Sequence, residues 1–109
     1  MLELTLRSLL GSLARPAVVA EPNSARIQSI HYVDLTTRTL VLRTSRRPTG
    51  SHLWISVGDP RGATHRRRVP IAGHDARGHT LVQVEVERGD TFTELLAFRT
   101  RAGDTLRLG

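Results

Sequence analysis

The chain has 109 residues, a formal net charge of +6 and no cysteine. That length fits one domain with a small core, and the lack of cysteine excludes disulfides and thiolate metal sites. Every Lys/Arg position is arginine, which reflects either genome composition or arginine's bidentate pairing with carboxylate and phosphate. No apolar run approaches the roughly 20 residues that span a bilayer.

Residues 1–24 are predicted to be an amphipathic arm and a proline-containing connector. Residues 2–14 are compatible with a strand, but leucines at helical spacing favour a short amphipathic helix. These leucines are Leu6, Leu9, Leu10 and Leu13. We expect them either to cover the domain's own core or to contact a neighbouring subunit. Glu3 and Arg7 interrupt the apolar part, so the segment is a poor signal peptide and cytoplasmic synthesis is expected.

Residues 25–109 are predicted to form a β domain of about seven short strands. Alternating apolar and polar side chains indicate half-buried strands, and Gly, Pro and Asp mark the turns between them. The expected strands cover residues 26–35, 39–44, 52–58, 63–71, 82–86, 91–98 and 105–108. Pro70 cannot donate to a strand ladder, so residues 63–71 are predicted to be an edge strand.

The stretch from His79 to Arg101 is predicted to lie near the middle of this domain. Residues 82–86 alternate valine with polar residues, which indicates one dry face and one wet face. Residues 88–90 spell an integrin-like tripeptide, but a turn is the simpler interpretation. Residues 91–98 then predict a second strand, apolar on both sides and therefore covered on both.

The order of these features resembles a fibronectin type III or immunoglobulin-like domain. The resemblance rests on IHYVDLTTRTLVLRT as a first strand pair, on the strand that contains Trp54, and on ERGDTF before a long apolar strand. It implies an all-β antiparallel sandwich that acts as a binding or spacer module.

Trp54 and a group of arginines are the candidate contact residues. Trp54 alternates with Leu53, Ile55 and Val57, so it is expected to face outward, covered by the N-terminal arm or by another subunit. The candidate basic patch consists of Arg46, Arg47, Arg61, Arg66, Arg67 and Arg68. Such a patch contacts phosphate, contacts an acidic protein, or serves as a solvated edge that resists aggregation.

Catalytic, metal and cofactor sites are not expected. The five histidines, His31, His52, His65, His74 and His79, show no metal-ligand spacing. Ser56, His65 and Asp59 supply the residue types of a nucleophilic triad, but no nucleophile motif surrounds the serine.

The sequence therefore predicts a non-enzymatic assembly module in a homo-oligomer or large particle, of which a viral decoration or tail component is one form. Its expected partners are its own copies or neighbouring subunits. The alternative is a small basic nucleic-acid-binding domain. Convergence of the candidate arginines on one face favours that alternative, whereas arginines scattered and paired with Glu85, Glu87 or Asp90 count against it.

Overall fold

Runs of alternating apolar residues form most of the strands in the computed structural model, which describes residues 23–109. Five strands come first: β1 (Ser24–Tyr32), β2 (Thr37–Thr44), β3 (His52–Gly58), β4 (Thr64–His74) and β5 (Thr80–Glu85). A short helix, α1 (Thr91–Glu94), continues into a π-helical turn at Leu95–Arg99, and β6 (Thr105–Leu108) is the last strand.

The six strands close into an antiparallel barrel in the order β1-β2-β5-β4-β3-β6. Strand β6 completes the circle because it pairs on both sides: Leu106 lies opposite Ala25 of β1, and Leu108 lies opposite Ile55 of β3. The prediction of an all-β antiparallel protein is confirmed. The predicted seven-strand sandwich is wrong, because these pairings join what would have been two separate sheets.

Inward-facing side chains of all six strands fill the barrel. In β3, Ile55 and Val57 are buried while Trp54 is 42% exposed, as the alternation predicted. The helical segment adds its own apolar side chains to the same core. The buried core consists of Ala25, Ile27, Leu40, Leu42, Ile55, Val57, Val69, Val82, Val84, Phe92, Leu95, Leu96 and Leu106.

The strand predicted over residues 91–98 is wrong. Phe92, Leu95 and Leu96 follow the i, i+3, i+4 spacing of one helix face, and they are 2%, 9% and 0% exposed. Phe98, which a strand would have placed beside Leu96, is instead 56% exposed. The preceding turn is confirmed: the Asp90 amide donates to the Glu87 carbonyl at 2.9 Å. It leads into a helix rather than a second strand.

Two hairpin turns, β3–β4 and β4–β5, have the same construction. In each, an aspartate carboxylate accepts hydrogen bonds from two amides of its own turn and approaches a histidine ring. Asp59 lies 2.8 Å from His65 Nε2, and Asp75 lies 3.0 Å from His79 Nδ1. The predicted turn at residues 59–62 is confirmed, with Gly62 at a φ of 92° that favours glycine.

These contacts lower the pKa of both aspartates. For Asp59, the hydrogen bond with His65 is the largest cause, followed by the Ala63 amide. For Asp75, partial burial opposes ionisation, but hydrogen bonds from the amide and ring of His79 outweigh it. Each carboxylate is therefore held in its charged form by the turn that it organises.

The predicted arm lies outside the described residues. This applies to Leu6, Leu9, Leu10 and Leu13 and to everything before residue 23, so the proposed boundary near residue 24 stays a prediction. Within residues 23–109, no helix is long and apolar enough to cross a membrane.

The helical assignment of residues 91–99 predicts unequal costs for two truncations. Leu96→Ala empties a fully buried site and should lower the free energy of unfolding by about 2–5 kcal/mol. Phe98→Ala removes an exposed ring and should cost about 1 kcal/mol or less. Urea denaturation measures both. Equal large losses would indicate that the two side chains share a buried strand face.

The paired hairpins predict an acid-sensitive fold. Both aspartates have folded-state pKa values below the ordinary value of 3.8. Each charged carboxylate therefore stabilises the fold at pH values above 3.8, and this stabilisation is lost as the pH falls through the folded-state pKa. The double variant Asp59→Asn/Asp75→Asn, whose amide oxygens still accept the turn's hydrogen bonds, should be less stable than the natural chain at pH 7. The difference should shrink as the pH falls below about 4, through the folded-state pKa values of the two aspartates. Urea midpoints across that range test this, and a pH-independent difference would contradict it.

Candidate functional site

Strands β4 and β5 separate at Pro70. Their ladder runs from His74 to the pair Ile71–Val82, and no earlier residue of β4 pairs with β5 in the described chain. The Ile71 amide donates to the Ser51 carbonyl on the β3 side at 2.8 Å. Alternation therefore turns the Pro70 nitrogen toward β5, where it has no hydrogen to donate. The predicted edge position is confirmed for residues 64–70, which pair with β3 but not with β5 in the described chain. Ile71, the last residue of the prediction, does pair with Val82 of β5.

A groove of about 400 Å³ opens where the two strands part. An apolar strip of buried side chains, Val69, Val84 and Phe92, runs along it. Polar and charged side chains surround that strip. The complete lining is Val33, Asp34, Thr37, Arg67, Arg68, Val69, Pro70, Gln83, Val84, Glu85, Phe92 and Thr93.

Arg67 lies at the helical end of the groove. It is paired with Ile55 in the β3–β4 ladder, so its side chain starts on the inward face of the sheet. Its guanidinium carbon lies 5.2 Å from the centroid of the Phe92 ring. Its two terminal nitrogens donate to the two carboxylate oxygens of Asp90 at 2.5 and 2.8 Å. This is the planar, two-bond match that arginine makes with carboxylate and phosphate.

Asp90 is committed to Arg67 rather than to the helix. It occupies the N-cap position of α1 but makes no side-chain cap bond. Its side chain is 15% exposed, and the hydrogen bonds from Arg67 lower its pKa. The pair therefore places a largely enclosed carboxylate against Arg67, although Asp90 itself does not line the groove.

The remaining charges of the groove are mixed. Asp34 accepts hydrogen bonds from the amides of Thr36 and Thr37, both at 2.8 Å, and these bonds, the Thr36 amide first, lower its pKa. Glu85 lies on β5 and is exposed. Among the described residues that line the groove, Arg68 is the cation that makes no ion pair with a carboxylate.

Arg38 supports the loop at the groove's rim, and the sequence analysis missed it. The side chain is buried, and Nη1 donates to the Asp34 carbonyl at 2.9 Å. The guanidinium lies between two exposed rings, 4.4 Å from Tyr32 and 5.5 Å from Phe98. Arg38 alternates in phase with the buried Leu40 of β2, and this pattern could have identified it as facing inward.

The candidate basic residues do not form one patch. Arg66 stacks on Trp54 at 4.0 Å, Arg67 pairs with Asp90, and Arg68 lines the groove. Arg61 lies in the β3–β4 turn, whereas Arg46 and Arg47 lie in the loop before β3, so the length of β3, roughly 20 Å, separates them. This is the scattered and paired arrangement that counts against a nucleic-acid face.

Trp54 faces outward, as predicted, with Arg66 over its ring. Its role as a subunit contact stays a prediction, as does self-association.

The histidine, serine and aspartate candidates do not converge. His65 meets Asp59, but Ser56 is paired with Arg66 and therefore points to the opposite face of the sheet from His65. His79 meets Asp75 in the other hairpin. Among residues 23–109, no three His, Asp or Glu side chains are placed to hold one metal ion.

Comparison with protein-family models finds no match, and no curated protein matches the sequence. Solved structures do match the fold. The flavohem-like FAD/NAD-binding domain of nitric oxide dioxygenase from Vibrio cholerae O1 biovar El Tor has a TM-score of 0.69 at 12% identity, over 79% of this chain and 41% of that one.

Two other similar structures are reductases. A ferredoxin NADP+ reductase from Neisseria gonorrhoeae, with FAD and NADP bound, has a TM-score of 0.64 at 15% identity, covering 78% of this chain and 35% of that one. The cytochrome b5 reductase domain of Ulva prolifera nitrate reductase has a TM-score of 0.64 at 16% identity, covering 83% and 40%. The described chain therefore spans well under half the length of each.

These likenesses replace the resemblance to fibronectin type III and immunoglobulin-like domains. That resemblance rested on strand order and alternation, which a sandwich shares with a closed barrel. The predictions of a non-enzymatic assembly module, of its viral form and of the nucleic-acid alternative are also overturned, because the similar structures are described as an FAD/NAD-binding domain and as reductases. The fold that this chain shares with these three structures is a closed six-stranded antiparallel barrel.

Proposed function

We propose that this barrel binds a flavin and serves as the flavin-binding part of an electron-transfer oxidoreductase. The observation that carries the proposal is the groove at the open β4–β5 seam, in a barrel whose similar structures are described as FAD/NAD-binding domains or reductases. A bound flavin would supply one- and two-electron redox chemistry.

The groove's apolar strip suits the ring system of a flavin. Val69 and Val84 belong to the two separating strands, and Phe92 lies beneath Arg67 at the helical end. Burying a ring system there removes apolar surface from water, at roughly 25 cal/mol per Å². The volume of about 400 Å³ lies within the ordinary range of small-molecule sites.

The polar rim, within residues 23–109, suits a ribityl chain and offers a phosphate a single unpaired cation. The Thr37 hydroxyl and the Gln83 amide line the groove beside the apolar strip, and such groups bind sugar hydroxyls. Arg68 is placed to pair with a phosphate because no carboxylate among residues 23–109 holds it.

One expected element is missing from the lining. Among the described residues, the groove offers no exposed aromatic ring for stacking, since Phe92 is 2% exposed and lies under Arg67. Val69 and Val84 are 4% and 3% exposed, so the ring system would pack mainly against the exposed apolar side chains of the lining, Val33 and Pro70. We expect this to give weaker binding than an aromatic platform, which adds about 0.5–1.5 kcal/mol per ring pair.

Calorimetric titration of the full chain with riboflavin and with FAD tests the proposal. We expect saturable binding of both. Gln83→Trp should fill the groove from β5 and weaken both ligands about tenfold or more, because a bulky side chain would occupy the ligand's volume.

Gln28→Trp is the matched control. Gln28 is exposed on β1 and does not line the groove, so the same substitution there should leave both affinities unchanged. Failure of both flavins to bind at concentrations near 1 mM would contradict the proposal. If Gln83→Trp and Gln28→Trp changed the flavin affinities equally, the flavin would bind outside the groove.

A further inference from the structure

The guanidinium of Arg67 is the best-formed anion-binding group in the groove, and the protein's own Asp90 fills it. Both terminal nitrogens are engaged, at 2.5 and 2.8 Å. The Phe92 ring lies against the guanidinium and restricts where it can move. A ligand phosphate that approached Arg67 would meet a carboxylate already seated in the same two-bond arrangement.

The Asp90 carboxylate makes its two strong hydrogen bonds with Arg67 and not with the start of the helix. Asp90 makes no side-chain cap bond to α1, while its backbone amide and carbonyl bond to Glu87 and Thr93. After Arg67, the Thr93 hydroxyl and the Phe92 amide also help to lower the pKa of Asp90. Asparagine keeps an oxygen that can accept from both, so Asp90→Asn removes the charge and retains these contacts.

We propose that Asp90 is a specificity-determining residue of the groove, because it occupies Arg67 in place of a ligand phosphate. The inference rests on the proposed flavin function and deepens it. The natural chain selects the ring and ribityl part of a flavin and gains little from its phosphates, so riboflavin and FAD bind with similar affinity.

Two costs oppose a phosphate at Arg67. The incoming anion must break two charge-assisted hydrogen bonds, which are stronger than neutral ones. It also leaves the Asp90 carboxylate, whose side chain is 15% exposed, unpaired beside a second negative charge. Arg68 offers a phosphate one compensating contact, but Asp34 and Glu85 line the same groove and repel it.

The test compares riboflavin, FAD and inorganic pyrophosphate by calorimetry on the natural chain and on Asp90→Asn. In the natural chain, FAD should bind within about threefold of riboflavin. In Asp90→Asn, FAD should bind about tenfold more tightly while riboflavin is unchanged, because one charge-assisted contact becomes available. Pyrophosphate should bind the variant more tightly than the natural chain by a similar factor.

Glu87→Gln is the charge-matched control. The hydrogen bonds with Asp90 are the main cause of the raised pKa of Arg67, and the charge of Glu87 adds to it, but no hydrogen bond joins Glu87 to that guanidinium. Removing its charge should change FAD affinity less than about threefold. A gain equal to that of Asp90→Asn would show a general charge effect and overturn the proposal.

The double variant Arg67→Gln/Asp90→Asn tests whether Arg67 is the group that binds phosphate once the Asp90 carboxylate is removed. It should lose the gains for FAD and pyrophosphate, and persistence of either gain would overturn the proposal. Should Asp90→Asn fail to fold, Asp90→Ser, which also suits an N-cap position, repeats the test.

The outcomes separate this inference from the flavin proposal. If no variant binds either flavin, the flavin proposal fails, and pyrophosphate alone decides the role of Asp90. An Arg67-dependent gain for pyrophosphate in Asp90→Asn supports the inference, and no gain overturns it.

Discussion

The barrel depends on the hydrogen bonding of the four-residue strand β6 along both of its sides. Its neighbours, β1 and β3, come from distant parts of the chain, and without β6 each would be the edge of an open sheet. The same strand contributes Leu106 to the core. A short segment with one buried leucine therefore converts five strands and a helical turn into a closed structure.

Closure at β6 contrasts with the opening between β4 and β5. Pro70 removes a donor, the ladder stops, and the space beyond it becomes the groove. The helical segment limits this opening, because Phe92, Leu95 and Leu96 belong to the core. The candidate ligand site thus lies where two neighbouring strands no longer form a ladder with each other. The remaining strand pairs keep the barrel closed.

Local patterns predicted the strands well. Alternation located β3 and β6 at their observed bounds, and Gly and Pro located the turn at residues 59–62. Alternation cannot distinguish a sandwich from a barrel, because the two differ only in which distant strands pair. The segment from Phe92 to Phe98 was mistaken for a strand because a short apolar run supports both periods.

The groove was beyond sequence reasoning for a similar reason. Arg67 and Arg68 were identified as basic candidates, and strand alternation puts Arg67 on the opposite face from Arg66 and Arg68, but alternation does not say which side chain each arginine meets. The structure gives each arginine a different neighbour. Asp90, the partner of Arg67, lies 23 positions away, and only the turn into an unforeseen helix brings it there.

The two ends of the described chain lie side by side. The Leu108 amide donates to the Asn23 carbonyl at 2.8 Å, and the Gly109 amide donates to the Trp54 carbonyl at 2.9 Å. A short linker from Gly109 to Asn23, in a variant that leaves out residues 1–22, could therefore connect these two positions, and new termini could be opened in the exposed β3–β4 turn, as circular permutation requires. In such a rearranged chain β6 and β1 would be consecutive strands of a β-hairpin. The pairing of β6 with β1, which now joins segments far apart in sequence, would then join sequence neighbours.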